Sequence, residues 1–176
     1  MKYAGFLSLY RKKGVKSCLY YLIFFVVALF VFVLDRVSKL WVVNHLNPGE
    51  IRPLLDGTIY LTFVRNPGAA FGLFAYQTPY LIAISLILIV LTVIVVHFAP
   101  YQKTLRTGLA VMLGGAAGNL FDRLQTGYVV DFIDLRFWPV FNFADVAIVA
   151  GVFLLAIRLI ARPGFLTPED PSRGGS

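Results

Sequence analysis

The residues best suited to chemistry in this sequence are its few acids and the asparagines beside them. Asp131 lies in an apolar segment, Val-Val-Asp-Phe-Ile, and Asp145 follows Asn142 by three residues. Apolar surroundings raise the pKa of a carboxyl group, whereas the first turn of a helix stabilises a carboxylate. Two carboxyl groups with divergent pKa values suit general acid–base catalysis, in which one takes a proton from water and the other donates one to a carbonyl oxygen.

Further polar residues lie in the stretch Gly-Asn-Leu-Phe-Asp-Arg. If a helix extends this far, Asn119 shares one face with Asp122, three residues on, and with Arg123, four residues on. Asn142 is placed to cap the first turn of the helix that contains Asp145. The two aspartates therefore have candidate asparagine partners.

Several of these residues also have a simpler, structural interpretation. Asp145 could be a helix cap and have no catalytic role. Asp122 beside Arg123, and Asp35 beside Arg36, can be charges at a membrane interface with no chemical role. The spacing alone does not separate these interpretations from a catalytic one.

The composition is that of a membrane protein. Hydrophobic residues make up 59% of the 176 residues and charged residues 14%, whereas soluble domains average about 45–50% and 25%. The mean hydropathy is +0.77. The net charge is +7, but so few polar residues cannot form a soluble nucleic-acid-binding surface. A soluble enzyme, a disordered chain and a disulfide scaffold are also excluded, the last because Cys18 is the only cysteine.

Four apolar segments have the composition of transmembrane helices, which need about 20 residues each. They cover residues 17–34, 79–98, 108–121 and 143–160. We predict that the first is a retained helix rather than a cleaved signal peptide, because no A-x-A-like site follows it. The third is short and rich in small residues, which let helix backbones approach closely, so we expect it to be the most buried span.

These spans divide the chain into three parts. A basic N-terminal segment covers residues 1–16, a membrane domain covers residues 17–162, and a tail covers residues 163–176. The tail is rich in proline, glycine, serine and acids, a composition that predicts disorder.

Two long loops interrupt the membrane domain, at about residues 35–78 and 122–142. β-branched and aromatic residues predict strands within them at 58–64, 128–130 and 132–133. The predicted fold is therefore mainly α: a bundle of four transmembrane helices with a small β-sheet and loop subdomain outside the membrane.

The charges predict how this bundle is oriented. The N-terminus, the short second loop and the tail hold ten lysines and arginines and two acids. The long loops and the adjoining helix ends hold six basic residues and seven acids, namely Asp35, Glu50, Asp56, Asp122, Asp131, Asp134 and Asp145. By the positive-inside rule, both termini are cytoplasmic and the acids lie at the outer face.

Two other functions could use the same acids. Asp131 and Asp134 are the most evident pair of Mg²⁺ ligands, as a metal-dependent lipid-modifying enzyme would need. A proton-linked carrier is the other, although the first two spans have no acids in their interiors. Zinc or serine–histidine chemistry fits poorly, because the only histidines, His45 and His97, fall on opposite sides of the predicted membrane.

Five short segments stand out in order along the chain. They are Asp35-Arg36-Val37-Ser38-Lys39; Arg65-Asn66-Pro67-Gly68-Ala69-Ala70-Phe71-Gly72; Gly114-Gly115-Ala116-Ala117-Gly118-Asn119-Leu120-Phe121-Asp122-Arg123; Val129-Val130-Asp131-Phe132-Ile133-Asp134; and Phe141-Asn142-Phe143-Ala144-Asp145. Together they resemble the motifs of bacterial lipoprotein signal peptidase (signal peptidase II), and the first is similar to that family's D-x-x-[ST]-K. The resemblance covers roughly residues 19–160.

The resemblance implies an aspartyl endopeptidase of the bacterial cytoplasmic (inner) membrane. Such an enzyme removes the signal peptide from prolipoproteins and cleaves before a cysteine that carries diacylglycerol. It implies that the loop with the 58–64 strand cradles the substrate and that the 128–142 loop is a flexible cover. The expected partners are the lipidated precursor and membrane lipid, with no nucleic acid, and the protein is expected to be a monomer.

The resemblance also implies roles for individual residues. Asp131 and Asp145 would be the catalytic pair that activates water. Six residues would support or line the site: Asp35, Asn66, Asn119, Asp122, Arg123 and Asn142. No metal or organic cofactor is implied.

Overall fold

The computed structural model describes residues 2–68, 73–98 and 103–160. The α-helices in these ranges are α1 (Lys2–His45), α2 (Thr78–Phe98), α3 (Lys103–Thr126) and α4 (Phe143–Ile160), and the strands are β1 (Ile51–Leu54), β2 (Ile59–Asn66) and β3 (Val129–Asp134). The predicted tail, residues 163–176, and residues 69–72 of the second motif lie outside the described residues.

Helix α1 is longer than the first apolar segment. It does not end at Leu34 but continues through the charged sequence to His45. Lys39 Nζ lies 2.8 Å from Asp35 Oδ2, an i,i+4 ion pair that suits a helix. The predicted first loop therefore begins only after His45, where Gly49, with φ of +82°, reverses the chain.

The three strands form one antiparallel sheet in the order β1-β2-β3. Strand β2 covers most of the predicted 58–64 strand, and β3 joins the two predicted strands that flank Asp131. The sheet packs on the last turns of α1, since Val42 and Leu46 form one apolar cluster with Phe63, Val130 and Phe132. This cluster fixes β3, and with it Asp131, against the helices.

Helix α3 is the centre of the bundle. Half of its 24 residues are buried, which agrees with the expectation for the third span. A Cβ on Gly114 would collide with the backbone of Ala28 in α1, and one on Gly118 would collide with the Asp35 carboxylate. Small residues therefore allow α3 to approach its neighbours closely, as in other membrane bundles.

Replacing Gly115 with alanine is expected to separate α3 from α4. The added Cβ would lie 2.5 Å from Ala144 O and 3.1 Å from Ala147 Cβ, and overpacking of this kind costs about 1–3 kcal/mol. We therefore expect a lower melting temperature in detergent. Leu124→Ala is the control, because Leu124 is 65% exposed on the same helix. Equal melting temperatures for the two variants would contradict this account of the contact.

Two helices among the described residues are long and apolar enough to cross a membrane. They are Cys18–His45, with a mean hydropathy of 2.5, and Thr78–Phe98, with 3.0. Large apolar side chains on their surfaces are exposed, such as Leu29 at 60% and Phe30 at 66%. Apolar surface of this extent is typical of contact with lipid. That α3 and α4 also span the membrane remains a prediction.

Candidate active site

Asp131 and Asp145 are held together by one buried asparagine, Asn142. Its Nδ2 donates a hydrogen bond to Asp131 Oδ1 at 2.6 Å. Its Oδ1 accepts one from the Asp145 backbone N–H at 3.0 Å, and its own backbone N–H donates to Asp145 Oδ2 at 3.1 Å. Asn142 has no exposed surface, so it links the two aspartates from a buried position.

The contacts between Asn142 and Asp145 form a reciprocal helix cap. Asn142 precedes the first residue of α4, and Asp145 is the third. Each side chain accepts a hydrogen bond from the other residue's backbone N–H, which is the geometry of a capping box. The sequence-based expectation that Asn142 caps this turn is confirmed. The cap orients one Asp145 oxygen and leaves Oδ1 for a different partner.

Asp131 is buried at the middle of β3 and is 2% exposed. Its Oδ2 accepts a hydrogen bond from Asn66 Nδ2 at 2.7 Å, across the sheet from the end of β2. Burial, followed by the negative charge of Asp145, raises the pKa of Asp131 to about 7. The amide hydrogen bonds from Asn66 and Asn142 oppose this rise. Asp131 is therefore a carboxyl group that can hold a proton near neutral pH.

The raised pKa of Asp131 predicts how the stability of the protein changes with pH. The folded protein binds this proton more tightly than the unfolded chain, so its stability should fall as the pH rises from about 4 to about 7. Between pH 5 and pH 8, we expect the melting temperature of wild type in detergent to fall by on the order of 5 °C more than that of Asp131→Asn.

The control for this measurement is Asp56→Asn, because Asp56 lies in an exposed turn. It should show the same change with pH as wild type. If Asp131→Asn loses as much stability as wild type between the two pH values, the predicted proton on Asp131 is absent.

Both aspartates face one cavity of about 370 Å³. Asn66, Asn119 and Arg123 supply its other strongly polar walls, while Ile84, Leu88 and Ile148 are among its apolar ones. Asn119 Nδ2 donates to Asp145 Oδ1 at 2.8 Å. Arg123 Nη2 donates to the backbone oxygen of Gly68 at 3.2 Å, which ties α3 to the segment after β2. The cavity can therefore hold a polar reacting group between largely apolar walls.

A cluster of four charged side chains lies behind this cavity: Asp35, Arg36, Lys39 and Asp122. Lys39 Nζ contacts Asp35 Oδ2 at 2.8 Å and Asp122 Oδ2 at 2.9 Å. Arg36 also pairs with Asp122. We refer to these four residues as the ion cluster. Its two positive and two negative side chains balance, which lowers the cost of burying them.

Asp35 differs from the expectation that it lines the site. It is not in the cavity wall, and its Oδ1 instead accepts a hydrogen bond from the Ala144 backbone N–H at 3.0 Å. This contact joins α1 to the first turn of α4, beside Asp145. The extension of α1 past Leu34 explains the difference, because it turns Asp35 towards α3 and α4.

Asp134 does not join the other acids. It is three residues from Asp131 on β3, and such residues point to opposite faces of a strand. Its Oδ1 accepts a hydrogen bond from the Arg136 backbone N–H at 2.7 Å. The Asp131–Asp134 pair therefore lacks the geometry of a Mg²⁺ site. No cluster of three or more histidine, cysteine or acidic residues that could hold a metal ion occurs within the described ranges.

Lys39 contacts the site, but its residue type alone did not identify it as a site residue. It lies at the end of the first motif and reaches Asn119 Oδ1 at 2.9 Å. The available signal was its i,i+4 spacing from Asp35, which places both on one face of a helix. The i,i+4 spacing indicates a shared face only within a helix, and the first predicted helix ends at Leu34, before Asp35.

Comparisons with known proteins agree with this arrangement. A family model for signal peptidase II matches residues 27–161. The lipoprotein signal peptidase of Moorella thermoacetica is 44% identical over 142 residues, which cover 80% of this chain and 95% of the relative. That of Syntrophomonas wolfei is 47% identical, with 75% and 89% covered.

A solved structure described as a bacterial membrane enzyme at 2.3 Å resolution has a similar fold. Its TM-score is 0.77 at 28% sequence identity, and the match covers 84% of this chain and 93% of that one. A second such structure, at 1.9 Å resolution, has a TM-score of 0.73 at 30% identity, with 79% and 93% covered. Matches of this length, on a chain whose two candidate aspartates share one cavity, show that this protein belongs to the signal peptidase II family of aspartic peptidases.

Proposed function

We propose that this protein removes the signal peptide from prolipoproteins, with Asp131 and Asp145 activating the water that cleaves the peptide bond. The observation that carries the proposal is the shared contact of both aspartates with Asn142 at the wall of one cavity. Two carboxyl groups in unlike environments at one site can act as acid and base together.

The mechanism follows from the surroundings of the two carboxyl groups. With its pKa raised to about 7, Asp131 is the member expected to hold the shared proton. Asp145, bound by Asn119 and Asn142, then takes a proton from water as the water oxygen attacks the scissile carbonyl carbon. Asp131 gives its proton to the carbonyl oxygen, which forms a tetrahedral diol.

Collapse of this intermediate completes the cleavage. The carbon–nitrogen bond breaks, the departing amine takes the proton held by Asp145, and a diol hydroxyl returns a proton to Asp131. The pair is then as it was before the reaction. The surrounding amides fix the two carboxyl groups in advance, so little reorganisation is needed as charge moves.

An apolar groove beside Asp145 supports a lipid-modified substrate. The groove has a volume of about 460 Å³, and its lining includes Phe137, Trp138, Val149 and Phe153 together with Asp145. We propose that the diacylglyceryl chains of the substrate cysteine lie against surfaces of this kind while the peptide enters the polar cavity. The sheet and the 128–142 segment would hold the peptide on its outer side.

The charge distribution supports a location for this chemistry. We propose a monomer in the bacterial cytoplasmic membrane with four spans, both termini in the cytoplasm and the site near the outer face. Its membrane domain would cover residues 17–162, with residues 1–16 and 163–176 on the cytoplasmic side. Water would then reach the aspartates from outside while the lipid chains stay in the bilayer.

A cleavage assay on purified protein in detergent tests the proposal. A diacylglyceryl prolipoprotein should shift in gel mobility, and mass spectrometry should find the new N-terminus at the lipidated cysteine. The same precursor without its diacylglycerol is the matched control and should remain uncut. Failure to cleave the lipidated precursor would refute the proposed function.

The same assay distinguishes the alternative metal-dependent enzyme. Cleavage should be unchanged in EDTA, because the proposed water is activated by carboxyl groups alone. Loss of activity in EDTA that Mg²⁺ restores would favour the alternative.

A further inference from the structure

The Lys39 ammonium group makes three contacts, one with each of three oxygen atoms. It lies 2.8 Å from Asp35 Oδ2, 2.9 Å from Asp122 Oδ2 and 2.9 Å from Asn119 Oδ1. The side chain is 1% exposed. An ammonium group has three hydrogens and no acceptor, so Lys39 donates a hydrogen bond to Asn119 Oδ1 and forms ion pairs with the two carboxylates. Two of these oxygens belong to the ion cluster, but the third belongs to a residue of the cavity wall.

The contact with Asn119 determines which way its amide points. Because Lys39 can only donate, the atom of Asn119 that faces it must be the oxygen, and Nδ2 must point to the other side. On that side Nδ2 donates to Asp145 Oδ1 at 2.8 Å. The Asn142 Nδ2, at 3.3 Å from Asn119 Oδ1, favours the same orientation. If the amide turned over, its oxygen would face the carboxylate of Asp145.

We propose that Lys39 is a positioning residue of the peptidase: through Asn119 it holds a hydrogen-bond donor against Asp145 and keeps that carboxylate ready to accept a proton from water. The inference rests on the proposed function and adds a residue outside the cavity to it. Lys39 touches neither aspartate of the catalytic pair in the contacts described, so its effect passes through Asn119 and through its charge.

The charge of Lys39 acts in the same direction as the amide. The charged and titratable groups around the aspartate pair are Asp35 and Lys39 from α1, Asp122 and Arg123 from α3, and the two aspartates themselves from β3 and α4. Asn66 adds an uncharged donor from β2. The positive charge of Lys39 favours an ionised pair. Its removal should therefore shift the acid limb of the pH–activity profile to higher pH.

The obvious variant, Lys39→Met, leaves an excess negative charge buried in the ion cluster and can fail for that reason alone. The double variant Lys39→Met/Asp35→Asn removes one charge of each sign, so Arg36 and Asp122 still balance. The amide introduced by Asp35→Asn also keeps an oxygen for the Ala144 backbone N–H, which Asp35 now binds. Asp35→Asn alone is the reference for this double variant. Ser38→Ala is the control on the same turn, because Ser38 Oγ donates to the backbone oxygen of Asp35 and, within the described residues, to no side chain of the site.

The experiment measures kcat and KM for the lipidated precursor from pH 5 to pH 9, together with the melting temperature of each variant. Relative to Asp35→Asn, we expect the double variant to lose about 10- to 100-fold in kcat with KM within about threefold. The acid limb of kcat/KM should move up by about half a pH unit or more. In an Asn119→Ala background, the further loss on removing Lys39 should shrink to about threefold or less, because the two residues act as one unit.

Two outcomes would overturn the inference, and a third would refute the proposed function. A double variant with the kcat and pH profile of Asp35→Asn would overturn it. A kcat loss that only follows the melting temperature, with the acid limb unmoved, would also overturn it and assign Lys39 to folding. Inactive wild type would instead refute the proposed function, so the two failures are distinguishable.

Discussion

Replacing Asp131 or Asp145 with asparagine is expected to abolish cleavage of a lipidated precursor. Each variant keeps the size of the side chain but removes a group that must give or accept a proton. General acid–base catalysis contributes about 10²–10⁴-fold for each such group, and we expect a fall in kcat of at least this size. Gel-shift assays at long incubation times, with purified variants at equal concentration, measure it.

The double variant sharpens this prediction. Because the two carboxyl groups act on one water, Asp131→Asn/Asp145→Asn should be hardly less active than either single variant. Asp56→Asn, in an exposed turn, is the matched control and should cleave normally. Cleavage at more than about a tenth of the wild-type rate by either single variant would exclude an aspartate pair as the catalytic machinery.

Replacing Asn142 with alanine is expected to have the next largest effect. The change removes the hydrogen bond to Asp131 Oδ1 and the side-chain cap of α4 together. Loss of a helix cap costs about 1 kcal/mol in stability, and misplacement of both aspartates should lower kcat by about 10²-fold. Because the Asn142 amide also opposes the rise in the pKa of Asp131, and Asp131 must hold a proton to act as the acid, the alkaline limb of kcat/KM should move to higher pH.

A second substitution separates the cap from the catalytic contact. Asn142→Ser keeps an oxygen that can cap α4 but is too short to carry an amide donor to Asp131. We expect it to melt close to wild type and yet to remain about as inactive as Asn142→Ala. If the serine variant recovers both stability and activity, the contact between Asn142 and Asp131 is not needed for the reaction.

The chemistry of the site could be predicted from local sequence to a useful extent. Asn142 and Asp145 are three residues apart. At the start of a helix, two such residues at this spacing form a capping box regardless of what the helix packs against. Asn119 and Arg123 are four residues apart and line the same cavity, as helical periodicity requires. Asp131 and Asp134 are three residues apart on one strand, so their side chains point to opposite faces of the sheet. This local rule by itself argues against the two residues as a pair of Mg²⁺ ligands.

The contacts between distant elements could not be predicted in this way. Asn66 reaches Asp131 only because β2 pairs with β3, with Asn66 opposite Val129. Asp35 reaches the Ala144 backbone, across 109 positions of sequence, only because Gly118 leaves room for its carboxylate beside α3. The length of α1 was missed for a similar reason. The charged turn of α1 that contains Lys39 is stabilised by Asp122 and Asn119 of α3. The hydropathy of the local sequence cannot indicate such contacts with another helix.

The sequence by itself determined which residue types the protein has available and which neighbours share a helix face. Composition, charge asymmetry and short motifs are local properties, and they sufficed for a membrane protein with two candidate catalytic aspartates. The tertiary structure decided which acid is buried, which amide faces it, and that Lys39 orients Asn119. These depend on burial and on the direction of single hydrogen bonds, and both arise only when helices and strands from distant parts of the chain pack together.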